Sequence, residues 1–338
     1  MIAEYLIAAG VAYLFLRKRI ENIHQEVDET SAAQIIKQFW HYCKPLFIMS
    51  TVGFVGEFAD RWMLQRFGGA GQQGFYQISY QFAAVSLIAT TSILNVFWKE
   101  IAEAHGRGDT EQVALLYHKV NKGLVILGAI ISGFLIPWTK EIVAVFLGTA
   151  YLSAVPVFAL MFLYPIHQSM GQIGGTMLLA SGNTRSYMII SGVVTLISIP
   201  ISYLIQAPIN YEPISGFGLG ATGMGFKMVA MGIISVNVMA YIISRLFKWK
   251  YDWVYQVVGI CSLIAIGFAA KIIVNLMFQV NLTCSKGEFL VPLSVYLVTY
   301  AILAMMLIWF MPWLAGLDRE SIRQELFKMK KVRSGMCN

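Results

Sequence analysis

Long apolar runs recur along the chain and are separated by short polar stretches, and the length of the runs carries the first prediction. Each is close to the roughly 20 residues a helix needs to cross a hydrocarbon core of about 30 Å. The pattern predicts nine spans, at 1–16, 45–65, 75–98, 122–138, 154–180, 186–206, 221–243, 254–277 and 290–313. The runs are continuous, whereas the strands of a membrane barrel alternate over about 10 residues. The expected fold class is therefore an all-α polytopic membrane protein. At about 1.5 Å per residue the first run reaches about 24 Å, which reads as a span clipped at its outer end.

The segments between the runs are short and read as connectors. In 17–44, Ile35, Ile36, Phe39 and Trp40 form an apolar edge beside Gln34, Lys37 and Gln38, the pattern of a helix lying at the membrane surface. In 99–121, Gly106-Arg107-Gly108 breaks a helix and Asp109 restarts it, with Gln112 as its capping partner. Within 154–180, Pro156 and Pro165 precede Gly171, Gly174 and Gly175, so this span should be kinked and closely packed near its cytoplasmic end.

Composition agrees with the runs. Of 338 residues, 57% are hydrophobic and 13% charged, against roughly 45–50% and 25% in soluble domains, which excludes an ordinary soluble enzyme. The formal charge is +7, and its placement matters more than its sum: 19 of the 25 Lys and Arg fall on one set of alternating loops and in the tail 314–338. The positive-inside rule puts that set in the cytoplasm, with the N-terminus outside and the C-terminus inside. Basic residues distributed by topology do not form a nucleic-acid surface. No loop is long enough for a catalytic domain and no phosphate-binding G-x-x-x-x-G-K-[ST] loop occurs, so neither enzymatic activity nor a cofactor is expected. Cys43 and Cys337 fall inside, Cys261 in a span and Cys284 outside, which predicts neither a disulfide nor a metal site. The outer triplet Asn281-Leu282-Thr283 is a formal glycosylation sequon to which no role is assigned.

The few ionisable groups within spans are the candidate chemistry, because each costs about 2.5–3.5 kcal/mol at a helix centre on insertion scales. Glu57, Asp60 and Arg61 share one helix face, and Glu57 and Arg61 are spaced for an ion pair. Lys227 and Lys271 sit at a depth similar to that of Arg61 on two further helices. A shared cationic chamber and independent snorkelling both account for that depth. Tyr76, Gln77, Tyr80 and Gln81 place phenol and amide groups on adjoining faces, with Asn95 deeper, suited either to sugar hydroxyls and pyranose rings or to helix packing. His167, two residues after Pro165, is a candidate proton-coupling group.

Four blocks give the chain a family resemblance. Phe58-Ala59-Asp60-Arg61-Trp62 with Gly68-Gly69 and Gly74-Phe75-Tyr76, then Phe146-Leu147-Gly148 with Tyr151 and Ala154, lie in its first half. Leu178-Leu179-Ala180-Ser181-Gly182-Asn183-Thr184-Arg185 and Gly218-Leu219-Gly220-Ala221-Thr222-Gly223 follow. In this order they resemble the polysaccharide flippases of the multidrug/oligosaccharidyl-lipid/polysaccharide exporter superfamily, whose members have two six-helix lobes, often with two more helices. The resemblance implies that 1–16 is the last helix of a preceding lobe, 45–243 a six-helix C-terminal lobe and 254–313 the added pair, so that the chain reads as the later part of a longer protein. It further implies a bacterial cytoplasmic membrane protein that flips undecaprenyl-pyrophosphate-linked oligosaccharide for surface polysaccharide such as lipopolysaccharide, among membrane lipids and alongside the polymerase machinery. Under that reading Arg61, Lys227, Lys271, Tyr76, Gln77, Tyr80 and Gln81 bind substrate, and Asp60, Glu57 and His167 couple an ion; only Asp60 and Arg61 match the family motif. A MATE-type drug exporter and an inactive membrane remnant are the competing readings.

Overall fold

The computed structural model describes residues 10–11, 32–278 and 286–316, with the backbone alone at 32–33, 89–93, 95 and 286–288. The expected span 1–16, the sequon, Cys284, Cys337 and the basic tail therefore lie largely or wholly outside the described residues, as does the side chain of Asn95. The chain divides into two units, Met1–Leu46 and Phe47–Asn338; in the first, 32–46 is helical.

Ten α-helices are described: α1 (Ala32–Val85), α2 (Ile88–Gly106), α3 (Thr110–Leu135), α4 (Thr139–Leu147), α5 (Val155–Met161), α6 (Tyr164–Ala180), α7 (Thr184–Gln206), α8 (Gly220–Leu246), α9 (Val254–Met277) and α10 (Lys286–Phe310). No strand occurs among the described residues. Six stretches are long and apolar enough to cross a membrane: Thr110–Leu147, Thr149–Ala180, Thr184–Gln206, Gly220–Leu246, Val254–Met277 and Phe289–Phe310. They correspond to the last six runs read from the sequence. The runs 45–65 and 75–98 are helical but are divided differently from the expectation. The expected outer loop between them is reduced to a break in α1 at Gly69, whose φ of 78° and ψ of 178° favour a residue without Cβ. The second run is interrupted after Val85, where Ser86 turns its hydroxyl onto the Ala83 carbonyl at 2.5 Å and α2 begins at Ile88.

Local signals account for the other interruptions. Asp109 accepts a hydrogen bond from the Gln112 backbone N–H at 3.0 Å and so caps α3. The expected kink in 154–180 is a full break between α5 and α6, with Pro165 in the first turn of α6, where its missing N–H leaves no bond unmade.

Helix α3 is the hub, packed along α6 on one side and α9 on the other, while α7 and α6 pack on α8. Apolar burial alone does not drive association in lipid, so close approach and hydrogen bonds have to hold these helices. At the crossing of α3 and α9, bare Gly133 meets bare Gly267, and a Cβ on Gly267 would overlap the Gly133 carbonyl. That carbonyl has lost its usual helical donor because residue 137 is proline. The Tyr296 hydroxyl of α10 takes the donor's place at 3.2 Å, also reaching the Phe134 carbonyl at 3.0 Å, and Tyr300 donates to Ile130 at 2.9 Å. The last two helices are thus fastened to the C-terminal end of α3 by backbone contact and by two phenols.

Gly267→Leu should therefore lower the stability of the detergent-solubilised protein by about 1–3 kcal/mol, the usual range for overpacking. Gly192→Leu on α7, where nothing lies within 4 Å of an added Cβ, should be neutral; thermal unfolding of the two side by side checks the difference.

Candidate functional site

The site begins with a small residue. Gly56 in α1 lies directly against Thr195 of α7, with no room for a side chain, and this brings the next turn of α1, bearing Asp60, within reach of two other helices. Ser202 of α7 donates to Asp60 Oδ1 at 2.5 Å, and Lys227 Nζ of α8 donates to Asp60 Oδ2 at 2.5 Å. One carboxylate thus joins three helices. The Lys227 side chain is only 4% exposed and that of Asp60 is 24% exposed. A charge so shielded requires its partner, since water cannot replace it.

The three cations read from the sequence as lying within spans take three different carboxylates. Arg61 pairs with Glu57 at 3.3 Å on the exposed side of α1, as the spacing predicted. Lys227 pairs with Asp60, and Lys271 pairs with Glu141 of α4 at 2.7 Å while donating to the Pro137 carbonyl at 2.7 Å. The Lys271 ammonium also lies 5.2 Å from the centre of the Trp138 ring. These contacts hold α9 to the turn between α3 and α4, so Lys271 has a complete structural role of its own. The similar depth expected from the sequence does not correspond to a common partner.

The aromatic and amide residues of α1 divide between two neighbourhoods. The Tyr76 hydroxyl meets Met228 Sδ of α8 at 2.9 Å, one residue from Lys227 and within electrostatic reach of Asp60. Tyr76 stacks on Tyr80 at 6.5 Å, and the Tyr80 hydroxyl meets that of Tyr164 at 3.4 Å. Tyr164 in turn presents its ring edge-on to His167 at 5.2 Å. His167 is buried, with Nε2 lacking a hydrogen-bond partner among the described residues and its ring pressed against bare Gly232 of α8. Gln77 is half-buried. Gln81 lines an apolar cavity of about 900 Å³ with Phe82, Phe134, Ile142, Phe162 and Leu293.

Several contributors are not among the residues singled out from the sequence. Ser202 donates to the carboxylate of one ion pair, and Glu141 is the acidic member of another. Gln72 caps α8 by accepting from the Ala221 N–H at 2.8 Å, and Gln206 donates to the Gly220 carbonyl at 3.0 Å. Glycines at 218 and 220, with φ of 60° and 56°, are the local signals for that junction. At the opposite end of the same helices a second polar cluster closes the bundle. Lys122 pairs with Asp252 at 3.2 Å, Asn121 donates to Tyr255 at 2.8 Å, and Tyr251 donates to Asn237 at 2.5 Å. Burial raises the Tyr251 phenol above its ordinary pKa, although the hydrogen bond from Gln256 acts in the other direction.

No protein-family model, curated protein or solved structure matches the chain.

Removing one member of the Asp60–Lys227 pair should destabilise the protein by about 3 kcal/mol or more, because it strands the other charge. The double variant Asp60→Asn/Lys227→Met should recover a large part of that loss, and a double-mutant cycle on unfolding in detergent measures the recovery.

Proposed function

We propose that this chain is a membrane transporter of the polysaccharide-flippase type, moving a lipid-linked oligosaccharide from the inner to the outer leaflet of a bacterial cytoplasmic membrane. The observation that carries the reading is the Asp60–Lys227 pair, a buried ammonium held at 2.5 Å by a single carboxylate that is itself partly accessible. Such an ammonium can exchange one anion for another. A proton or a metal cation arriving on Asp60 weakens its hold on Lys227, and a pyrophosphate can then take the vacated contact. Ion and anionic substrate thereby act on the same pair, which is the logic of coupling through differential binding to two states. Net transport by this route needs no hydrolytic machinery.

Two further features support the reading. Tyr76 and Tyr80 extend from the pair as phenol groups suited to sugar hydroxyls, with His167 at the end of the same aromatic row as a second candidate for coupling. The apolar cavity beside Gln81, about 900 Å³ in volume, has the lining a hydrocarbon chain requires. The proposal takes the nine-span arrangement, with the N-terminus outside and the C-terminus inside, from the apolar runs and the distribution of basic residues, and the MATE-like lobe over 45–243 from the family resemblance. It assigns no catalytic role to the protein, and places the polysaccharide polymerase machinery among its partners.

Cells lacking the protein should accumulate lipid-linked repeat units on the cytoplasmic side. The double variant Asp60→Asn/Lys227→Met, which strands no charge, expressed from the native locus at unchanged protein level, should lower surface polysaccharide at least several-fold. Normal polymer from that variant would remove the anion site, and accumulation of a cytotoxic cation instead of repeat units would favour drug export.

A further inference from the structure

The segment 207–219 joins α7 to α8, and its polar and apolar groups are arranged opposite to those of a loop in water. Helix α7 has to stop at Gln206, because Ala207 precedes Pro208 and takes an extended ψ of 140°. The proline also has no N–H to offer the Leu204 carbonyl. The far end of the segment supplies the missing donors. Phe217 N–H bonds the Leu204 carbonyl at 2.8 Å, Leu219 N–H that of Ile205 at 3.0 Å and Gly218 N–H that of Ala207 at 2.9 Å. Gly216 and Tyr211 both donate to the Pro208 carbonyl at 3.1 Å, and the Tyr203 hydroxyl donates to that of Ile214 at 3.0 Å. A Cβ on Gly216 would lie 2.5 Å from the Leu204 and Ala207 carbonyl oxygens, so this path of the backbone depends on glycine. The Tyr211 ring braces the segment edge-on against Phe67 of α1 at 5.2 Å.

The side chains do the reverse. Ile209, Ile214 and Phe217 are 71%, 56% and 65% exposed, with Tyr211 and Leu219 exposed beside them. Glu212 is the one charged residue of the segment, which has no Lys, Arg or His. A loop in water can leave backbone groups to the solvent, whereas backbone at membrane depth must be satisfied within the protein. The position of the segment agrees with the second case. Both α7 and α8 are long and apolar enough to cross a membrane, so the chain leaves one crossing helix and enters the next at the edge of the hydrocarbon. The exposed apolar faces of those helices lead into it, through Leu204 in the last turn of α7 and Phe226 in the second turn of α8. Lipid that lies against these faces is therefore the neighbour of the loop as well.

We infer that the segment 207–219 dips into the headgroup and upper acyl region of the membrane, with Ile209, Ile214 and Phe217 in contact with lipid. It thereby sets the depth of the buried ion pair, because Lys227 follows Gly220 by seven residues, about 10 Å along α8 at 1.5 Å per residue. The inference is independent of the substrate reading, and its test contains no transport measurement. In the full chain with all native cysteines changed to serine, Ile209→Cys, Ile214→Cys and Phe217→Cys are introduced singly. Each is spin-labelled and reconstituted in vesicles of phosphatidylethanolamine and phosphatidylglycerol. Collision of the label with oxygen, which concentrates in lipid, is compared with collision with a water-soluble nickel chelate. Val298→Cys on the exposed face of α10 is the lipid reference, and Lys250→Cys, at an exposed charged position, is the water reference. The oxygen-to-nickel ratio at the loop positions should exceed that at Lys250→Cys by about three-fold or more, toward the value at Val298→Cys. Ratios below this at two or more of the three positions, as in water, or labels shielded from both reagents, as beneath a protein partner, would overturn the inference.

Discussion

Each charge within the spans needs a partner supplied by the protein, and this single constraint organises much of the bundle. In water an exposed ion pair is worth little because solvent serves either ion nearly as well. In hydrocarbon that alternative is lost, so an unpaired ion is costly. Asp60 therefore fixes three helices at once, with Ser202 and Lys227 both directed at one carboxylate. Lys271 and Glu141 do the same for α9 and the turn before α4. Helices that gain little from apolar contact in lipid are held in register by a small number of polar groups.

Backbone chemistry follows the same constraint. Pro137 deprives the Gly133 carbonyl of its helical donor, and Tyr296 of a distant helix supplies the missing hydrogen bond. Gly133 and Gly267 bring α3 and α9 close enough for that geometry. A proline that would weaken an isolated helix thus becomes the place where another helix is attached. The polar cluster of Lys122, Asp252, Asn121, Tyr255, Tyr251 and Asn237 closes the other end of the same helices. Between these two ends the contacts are largely apolar, and it is there that small residues such as Gly174 and Gly232 admit Met239 and His167 from neighbouring helices.

These fixed points also distinguish the groups available for chemistry from those already committed to structure. Lys271 has a carboxylate, a carbonyl and an aromatic face, which leaves it little capacity for a substrate. Among the described residues Lys227 has a carboxylate as its one polar contact, and that carboxylate is partly open. Arg61 is held, among the described residues, by Glu57 on the exposed side of α1. Three residues that look equivalent in the sequence thus have three different roles, decided by what faces each one.

The sequence by itself determined the contacts that span one or two helical turns and the segments whose length is set by the bilayer. The last six apolar runs are membrane-crossing helices by length and composition, the Glu57–Arg61 pair forms at its expected spacing, and the Asp109 cap and the break near Pro165 follow from local geometry. Only the tertiary structure decided the rest. Asp60 finds its partners 142 and 167 residues away, and Lys271 finds Glu141 at a separation of 130. The apolar runs between these residues give no rotation or neighbour for each helix, so sequence could place the cations at one depth but could not say which carboxylate each would meet. That choice depends on which glycines let which helices touch, a property of two surfaces together and not of either one read along the chain.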